Sequence, residues 1–153
     1  MATSIREYIM DDLIADIKTV KKVNGYDNDI SDGRVFRASA SVDTNAFPSV
    51  YVFEGDESIV EREYSGSNTH VVKDMEVLVE VWDSSYDDLA GLINSIEADV
   101  IKAILADSTR GGYAIVTEQT GSTPFFVESE NIGGRIISFN IRYEHKEIDP
   151  YTA

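Results

Sequence analysis

The segments that decide the fold are residues 75–83, MEVLVEVWD, and residues 87–105, DDLAGLINSIEADVIKAIL. Apolar and polar side chains mostly alternate in the first segment, and this period of two predicts a β-strand with one buried face. In the second segment apolar residues recur every three or four positions, which predicts an amphipathic helix. Capping residue types at positions 85–88 place the start of this helix directly after the strand.

A second helix is predicted near the start of the chain. Ser4 and Glu7 have the spacing of a capping box, in which each side chain bonds a free backbone N–H of the first helical turn. Apolar residues then recur at helical spacing, and Asn24 and Gly25 predict the end of the helix. The apolar stripe consists of Ile5, Ile9, Leu13, Ile17 and Val20.

The remaining strands are predicted from β-branched and aromatic runs at residues 35–39, 47–53, 113–118, 124–128 and 136–144. Pro48 fits only the beginning or the edge of a strand, so residues 47–53 are a candidate edge strand. Residues 54–68 predict an exposed polar loop, and residues 119–123 a turn. The fold class is therefore α+β: a single domain over residues 1–153, with an antiparallel (mixed) sheet and two main helices packed on one face.

The charge of the chain limits its partners. Its 28 acidic and 13 basic residues among 153 give a formal charge of -15. Such a charge predicts repulsion from phosphate backbones and anionic membranes. It indicates either plain solubility or a dedicated acidic surface, such as the lining of a channel. The absence of cysteine excludes disulfides, thiolate nucleophiles and cysteine-ligated metals.

The sequence contains no catalytic pattern that we recognise. Neither His70 nor His145 has a second histidine at metal-ligand spacing. No serine has the flanking glycines of a nucleophile elbow. Residues 27–33 depart from a calcium loop, because Asp32 stands where that loop needs glycine. No metal or cofactor is therefore expected, and the chain is predicted to be an assembly or binding subunit rather than an enzyme.

Two apolar residues break the alternation of the central strand. Leu78 and Trp82 occupy the face where charged residues are expected. They pack either beneath a helix or at a subunit interface, where tryptophan is enriched.

Four segments of the sequence, and their order, resemble those of the tail-terminator, or tail-completion, proteins of long-tailed bacteriophages. This family is that of the minor tail protein U. The four segments are IREYIMDDLIADIKTV (residues 5–20), FPSVYVFEGDE (47–57), the central strand leading into its helix, and RIISFNIRYEHKEIDPY (135–151). The resemblance covers nearly the whole chain. It implies a structural virion protein whose hexameric ring caps the head-proximal end of the tail tube, ends tube polymerisation and offers a docking surface for the head or neck.

The resemblance also implies partners and a location. The partners are further copies of the chain in a homohexamer, the tail tube protein, a neck or head-completion protein, and the sheath protein if the tail is contractile. DNA passes through the ring without specific binding, and no membrane is involved. The location is the tail–neck junction of the virion, after assembly in the host cytoplasm.

Two sets of residues are candidates for these contacts. The candidate subunit or tube interface includes residues 144–153 as an extended C-terminal arm and comprises Phe47, Val50, Tyr51, Phe53, Leu78, Trp82, Arg142, His145 and Tyr151. The candidate acidic lumen or tube-facing loop comprises Glu54, Asp56, Glu57, Glu61 and Glu63. Two alternatives remain: another neck connector or tail-tube subunit, and a module that binds a small ligand between sheet and helices.

Overall fold

The computed structural model describes residues 2–37, 46–66, 68–127 and 131–153. Within these ranges the chain forms an α+β fold, as predicted from the sequence. In chain order the elements are α1 (Ile5–Lys18), single 3-10 turns at Lys22–Asn24 and Asp32–Arg34, β1 (Val35–Arg37), β2 (Ser49–Ser65), β3 (Asn68–Ser84), α2 (Leu89–Leu105), β4 (Val116–Val127) and β5 (Ile132–Lys146).

The five strands form one sheet in the order β1-β2-β3-β5-β4. β1 runs parallel to β2, and the other three neighbouring pairs are antiparallel. The predicted mixed sheet is therefore confirmed. β3, the strand with the alternating pattern, lies at its centre and pairs along nearly its whole length with β2 on one side and β5 on the other.

The first helix begins where its cap was predicted. The backbone N–H of Glu7 donates to the Ser4 hydroxyl at 3.2 Å. The Glu7 carboxylate does not complete the capping box in the expected way, because it pairs with the guanidinium of Arg37 on β1. α1 ends at Lys18, and Gly25, at a φ of 86°, closes the following 3-10 turn. The cap thus also joins the helix to the edge of the sheet.

Two strands are longer than the sequence predicted. The segment at residues 54–65 is not a loop but continues β2, which pairs with β3 as far as Ser65. Residues 119–123 are not a turn but part of β4, where one irregularity lies between Gln119 and Gly121. Bulges in both strands disrupt the period of two and hide the strands from a pattern search. Residues 38, 39, 45, 67 and 128, which other predicted segments include, lie outside the described residues.

The segment at residues 47–53 is not an edge strand. β1 pairs with Val50, Tyr51 and Val52, so the edge at this point is β1. Pro48 precedes β2, which begins at Ser49. The unpaired edge of β2 begins instead at Phe53, where β1 has ended.

Both helices pack on the same face of the sheet. One contiguous core contains the apolar stripes of α1 and α2 together with alternate residues of the strands, such as Val79 of β3 and Ile137 of β5, which are fully buried. Val79 and Ile137 lie directly opposite each other in the sheet, as paired inward-facing side chains should. No helix of residues 2–37, 46–66, 68–127 or 131–153 packs on the opposite face of the sheet, which is called here the helix-free face.

A buried arginine links the two helices. Arg110 follows α2, has a φ of 50° and is completely buried. Its Nη1 lies 2.7 Å from the Asp16 carboxylate and 3.5 Å from that of Asp12, both on α1. Its Nη2 donates to the carbonyl of Ile104 on α2. A buried guanidinium needs such partners because an unpaired buried charge is strongly destabilising.

Candidate assembly surfaces

The sheet ends in two different edges. β1 covers only three residues of β2, so among the described residues the outer edge of β2 is unpaired from Phe53 to Ser65. At the other end of the sheet, β4 pairs with β5 and, in the part of the chain that the structure describes, with no other strand. An unpaired edge presents free N–H and C=O groups to which another strand can add.

The chemistry of the two edges also differs. β4 contains one charged residue in twelve, Glu118, and most of its other residues are hydroxyl-bearing or apolar. The open part of β2 contains four glutamates, an aspartate and an arginine, together with two irregularities of register. Charges and bulges protect an edge from pairing with a copy of itself. Contacts between unlike edges are therefore favoured over contacts between two copies of the β2 edge.

A row of aromatic rings crosses one end of the helix-free face. Phe36 stacks on Tyr51 with centroids 4.9 Å apart, Tyr51 meets the edge of Trp82 at 6.4 Å, and Trp82 contacts Phe125 at 4.5 Å. The row joins β1, β2, β3 and β4. Leu78 lies on the same face of β3, four residues before Trp82. Of the two alternatives for Leu78 and Trp82, the position beneath a helix is therefore wrong.

The charged side chains on the rest of the helix-free face are mostly acidic. Strand register places seven acids there: Glu61, Glu63, Asp74, Glu76, Glu80, Glu118 and Glu144. Before the last residue pair of β5, which is Lys146 with His70, Arg142 is the one arginine or lysine that strand register places among these acids in the described residues. Arg142 donates two hydrogen bonds to Asp74, at 2.8 and 3.0 Å. This pairing lowers the pKa of the Asp74 carboxyl. Glu80 accepts a hydrogen bond from the Trp82 indole at 3.2 Å.

Glu57 differs from the other predicted lumen acids. It lies on the helix side of the sheet opposite Met75, and its side chain is 16% exposed. Its carboxylate accepts from Arg6 at 2.5 and 3.1 Å and from the Tyr143 hydroxyl at 2.6 Å, and it lies 3.2 Å from the Lys73 ammonium. Burial favours a higher pKa for Glu57, but these donors outweigh it and lower the pKa. Burial, together with Glu57, raises the pKa of Tyr143 to about 12.

The C-terminal segment folds back instead of forming an extended arm. Lys146 N–H donates to the carbonyl of Thr152 at 2.9 Å, and Ile5 N–H donates to that of Pro150 at 3.1 Å. Glu147 N–H donates to the carbonyl of Thr69 on β3. The segment thus joins the start of α1 to the end of the β2–β3 hairpin, and these bonds satisfy backbone groups that an arm would leave to a neighbour.

The end of the hairpin and this C-terminal turn form one exposed apolar surface, called here the tip surface. Arg62 of β2 and Glu147 of the turn are joined by an ion pair of 3.2 Å. Around the pair stand large apolar side chains that are exposed to solvent: Ile59, Val60, Tyr64, Ile148 and Tyr151. Tyr64 and Ile148 are 80% and 86% exposed. Grouped exposed apolar side chains are typical of contact surfaces.

The predicted interface residues divide into three groups. Phe53, Leu78 and Trp82 lie half-buried on the helix-free face, and Arg142 is exposed there. Tyr151 belongs to the tip surface, and Phe47 is half-buried before β2, with its carbonyl bonded by Arg34.

Val50, Tyr51 and His145 form the third group and are at most 4% exposed. Val50 is part of the core beneath the helices, Tyr51 lies within the aromatic row, and His145 lies beside Tyr143. The prediction that these three side chains meet a partner is wrong for the subunit as folded. Alternation on β2 places Val50 and Tyr51 on opposite faces, but the core covers Val50, and the rings of Phe36 and Trp82 pack against Tyr51.

The predicted acidic set is also divided by the structure. Glu54 pairs with Arg37 at 3.1 Å, and Glu57 is neutralised on the helix side. Asp56, Glu61 and Glu63 are exposed. The sequence did not show that Asp74, Glu76 and Glu118 join them from other strands, since strand register is needed to bring these positions together. It also did not show the aromatic partners Phe36 and Phe125.

One glycine gave a sequence signal for the aromatic row. A Cβ at Gly134 of β5 would come within 2.6 Å of the Phe125 ring and would collide with the carbonyl of Val81. Glycine in the interior of a strand often marks a close approach of another group. Gly133 and Gly134 both belong to β5 and make room for the rings of β4.

Comparisons with known proteins find similarity among solved structures. Among the described residues, no helix is long and apolar enough to span a bilayer, and no group of three or more His, Asp or Glu is placed to hold a metal. No protein-family model and no curated protein matches the sequence. The chain is similar to one in the solved virion of a native gene transfer agent particle, with 16% identity over 92% of each chain and a TM-score of 0.46.

Proposed function

We propose that this protein is a structural virion subunit, the terminator of a phage-like tail, and that it acts as a hexameric ring on the head-proximal end of the tail tube. The proposal rests first on the order of segments in the sequence, which resembles that of tail-terminator proteins. The structural observation that supports it is the pair of unlike open edges on a single sheet.

Unlike edges favour a closed ring over a symmetric dimer. When one surface of a subunit binds a different surface of the next, the contact is heterologous, and copies assemble into a ring if the rotation closes. Addition of the β4 edge of one copy to the open part of β2 in the next is such a contact. The low charge of β4 limits the repulsion between two acidic subunits at that point.

The remaining surfaces fit the other tasks of a terminator. The tip surface offers apolar side chains to the tube or the neck, with its Arg62–Glu147 pair internally neutralised. Asp56, Glu61 and Glu63 are free to face a channel through which DNA passes without binding, because like charges repel. The sheath protein is an additional partner if the tail is contractile.

Assembly in the presence of tail tubes tests the proposal. Purified subunits mixed with tubes should stop tube growth and appear as a six-membered ring at one end in electron micrographs. Tubes of unchanged length without an end ring would contradict it. Subunits that polymerise alone into open-ended tubes would support the alternative function of a tail-tube subunit.

A matched pair of variants tests the edge contact. Glutamates at the exposed positions Gln119 and Thr120 of β4 should abolish the ring, because like charges placed opposite each other on neighbouring strands repel and the open part of β2 is acidic. The control carries glutamates at Ala15 and Val23, which are also exposed but lie outside the sheet. Sedimentation should show rings for the control and monomers for the edge variant. Equal ring formation by both would exclude β4 from the contact.

A further inference from the structure

The helix-free face combines apolar and acidic groups in a defined arrangement. Strand register places Trp82 and Phe125 at one end of the face and Leu78 next to Ser138 in the middle. Glu76, Asn140 and Glu118 follow as the next row across β3, β5 and β4. Leu78 therefore lies one row from the exposed carboxylates of Glu76 and Glu118, and Trp82 and Phe125 lie three rows from them. Within the described part of the chain no helix covers these residues, and they are half-buried or exposed.

A second copy of the chain does not have the charge to fit this face. Eight of its thirteen basic residues already form ion pairs within the chain: Arg6, Lys21, Arg37, Arg62, Lys73, Arg110, Arg135 and Arg142. Of the others, the side chains of Lys102 and Arg34 donate to backbone carbonyls. A partner copy would therefore bring more acid to an acidic surface.

We propose that the helix-free face binds a different protein, one that presents a basic segment in which lysine or arginine side chains adjoin apolar ones. The apolar residues of the segment cover Leu78, Trp82 and Phe125, and its cations meet Glu76 and Glu118. Complementary charge gives such a contact its orientation and a fast association, while the aromatic groups supply most of its affinity. This binding does not depend on ring formation or on the proposed role in a tail.

The single tryptophan of the chain provides a direct readout. Trp82 is the chain's one tryptophan, so its fluorescence reports on this face alone. The probe is a synthetic peptide of six Lys-Leu repeats. It should shift the Trp82 emission saturably, and peptides of six Glu-Leu or six Lys-Ser repeats should bind at least about tenfold more weakly, since each lacks one of the two chemistries.

A charge-matched pair of variants separates this face from general acidity. Glu76→Gln with Glu118→Gln removes two charges from the face, and Asp11→Asn with Asp27→Asn removes two exposed charges elsewhere. We expect the first pair to weaken the Lys-Leu peptide about tenfold and the second to change its affinity less than about twofold. Circular dichroism confirms that both variants are folded.

Several outcomes would overturn the inference. Equal weakening by both pairs would show attraction to net charge alone, and equal affinity for the Glu-Leu peptide would show an apolar contact without charge selection. The absence of any saturable shift would exclude the face as a binding surface for such a segment. A shift of the Trp82 emission with protein concentration alone, without peptide, would assign the face to a second copy.

Discussion

Replacement of Glu57 by glutamine should destabilise the subunit although Glu57 belongs to an otherwise exposed acidic segment. Its carboxylate is bonded by Arg6 and Tyr143 and lies 3.2 Å from the ammonium of Lys73. These contacts join the first turn of α1 to β2, β3 and β5. Glutamine keeps the shape of the side chain but replaces one acceptor oxygen by an NH₂ group, which leaves the two cations without a counter-charge.

The magnitude follows from the number and exposure of the contacts. A hydrogen bond to a charged group contributes about 1.5–3 kcal/mol, but the Arg6 side chain is 46% exposed and its share is screened by solvent. Glutamine also retains one acceptor. We therefore expect a loss of about 2 kcal/mol in the free energy of unfolding, or roughly 4–8 °C in Tm for a domain of this size.

Urea denaturation at pH 7 measures this loss. Asp56→Asn is the matched control, because it removes the same charge from the neighbouring, exposed position and should change stability by less than about 0.5 kcal/mol. If Glu57→Gln is as stable as the wild type, or if the control loses as much, the bonds to Glu57 do not hold the sheet to α1.

The pH dependence of the same variant tests the ionisation of Glu57. Because its folded-state pKa is lowered, the carboxylate stabilises the fold above its unfolded pKa, and this stabilisation is lost as the pH falls through the folded value. The difference in unfolding free energy between the wild type and Glu57→Gln should therefore be full at pH 7 and shrink below about pH 4. A difference that stays constant between pH 7 and pH 3 would contradict this ionisation.

Three further predictions concern other sites. Arg110→Met should lower the unfolding free energy by about 3 kcal/mol in urea titrations, because two carboxylates of α1 lose their buried partner. Gly134→Ala should cost about 2 kcal/mol by the same measurement and alter the near-ultraviolet dichroism of the aromatic row, since its Cβ collides with the adjacent strand. Lysine at Asp56, Glu61 and Glu63 together should leave the melting temperature within a few degrees but impair DNA passage or head joining. Normal infectious particles would show that their acidity serves solubility alone.

The sequence predicted those elements whose local signals agree with their place in the fold. Ser4 and the apolar stripe of α1 defined the first helix, and alternation defined β3, because one face of each is buried. The same reasoning placed α2 directly after β3. These elements pack on the core in the simplest way, with one apolar face inward and one polar face outward.

Sequence patterns were insufficient where alternation is interrupted or where contacts join distant strands. Beyond Phe53, β2 is mostly polar and exposed and has two irregularities of register, so its paired residues resemble a loop in the sequence. Phe36 and Phe125 are far apart in sequence, and only strand order brings them into one row with Trp82. The neutralisation of Glu57 likewise depends on residues 6, 73 and 143, which no local pattern connects.

The mass of the assembled particle tests the central claim most directly. Light scattering coupled to size-exclusion chromatography, on the subunit alone and on the subunit released from tail tubes, measures the number of 17.0 kDa chains in the assembly. The proposed ring predicts six chains, and loss of the assembly when the β4 edge carries two additional glutamates. A particle that remains monomeric both alone and after contact with tubes would contradict the proposed function.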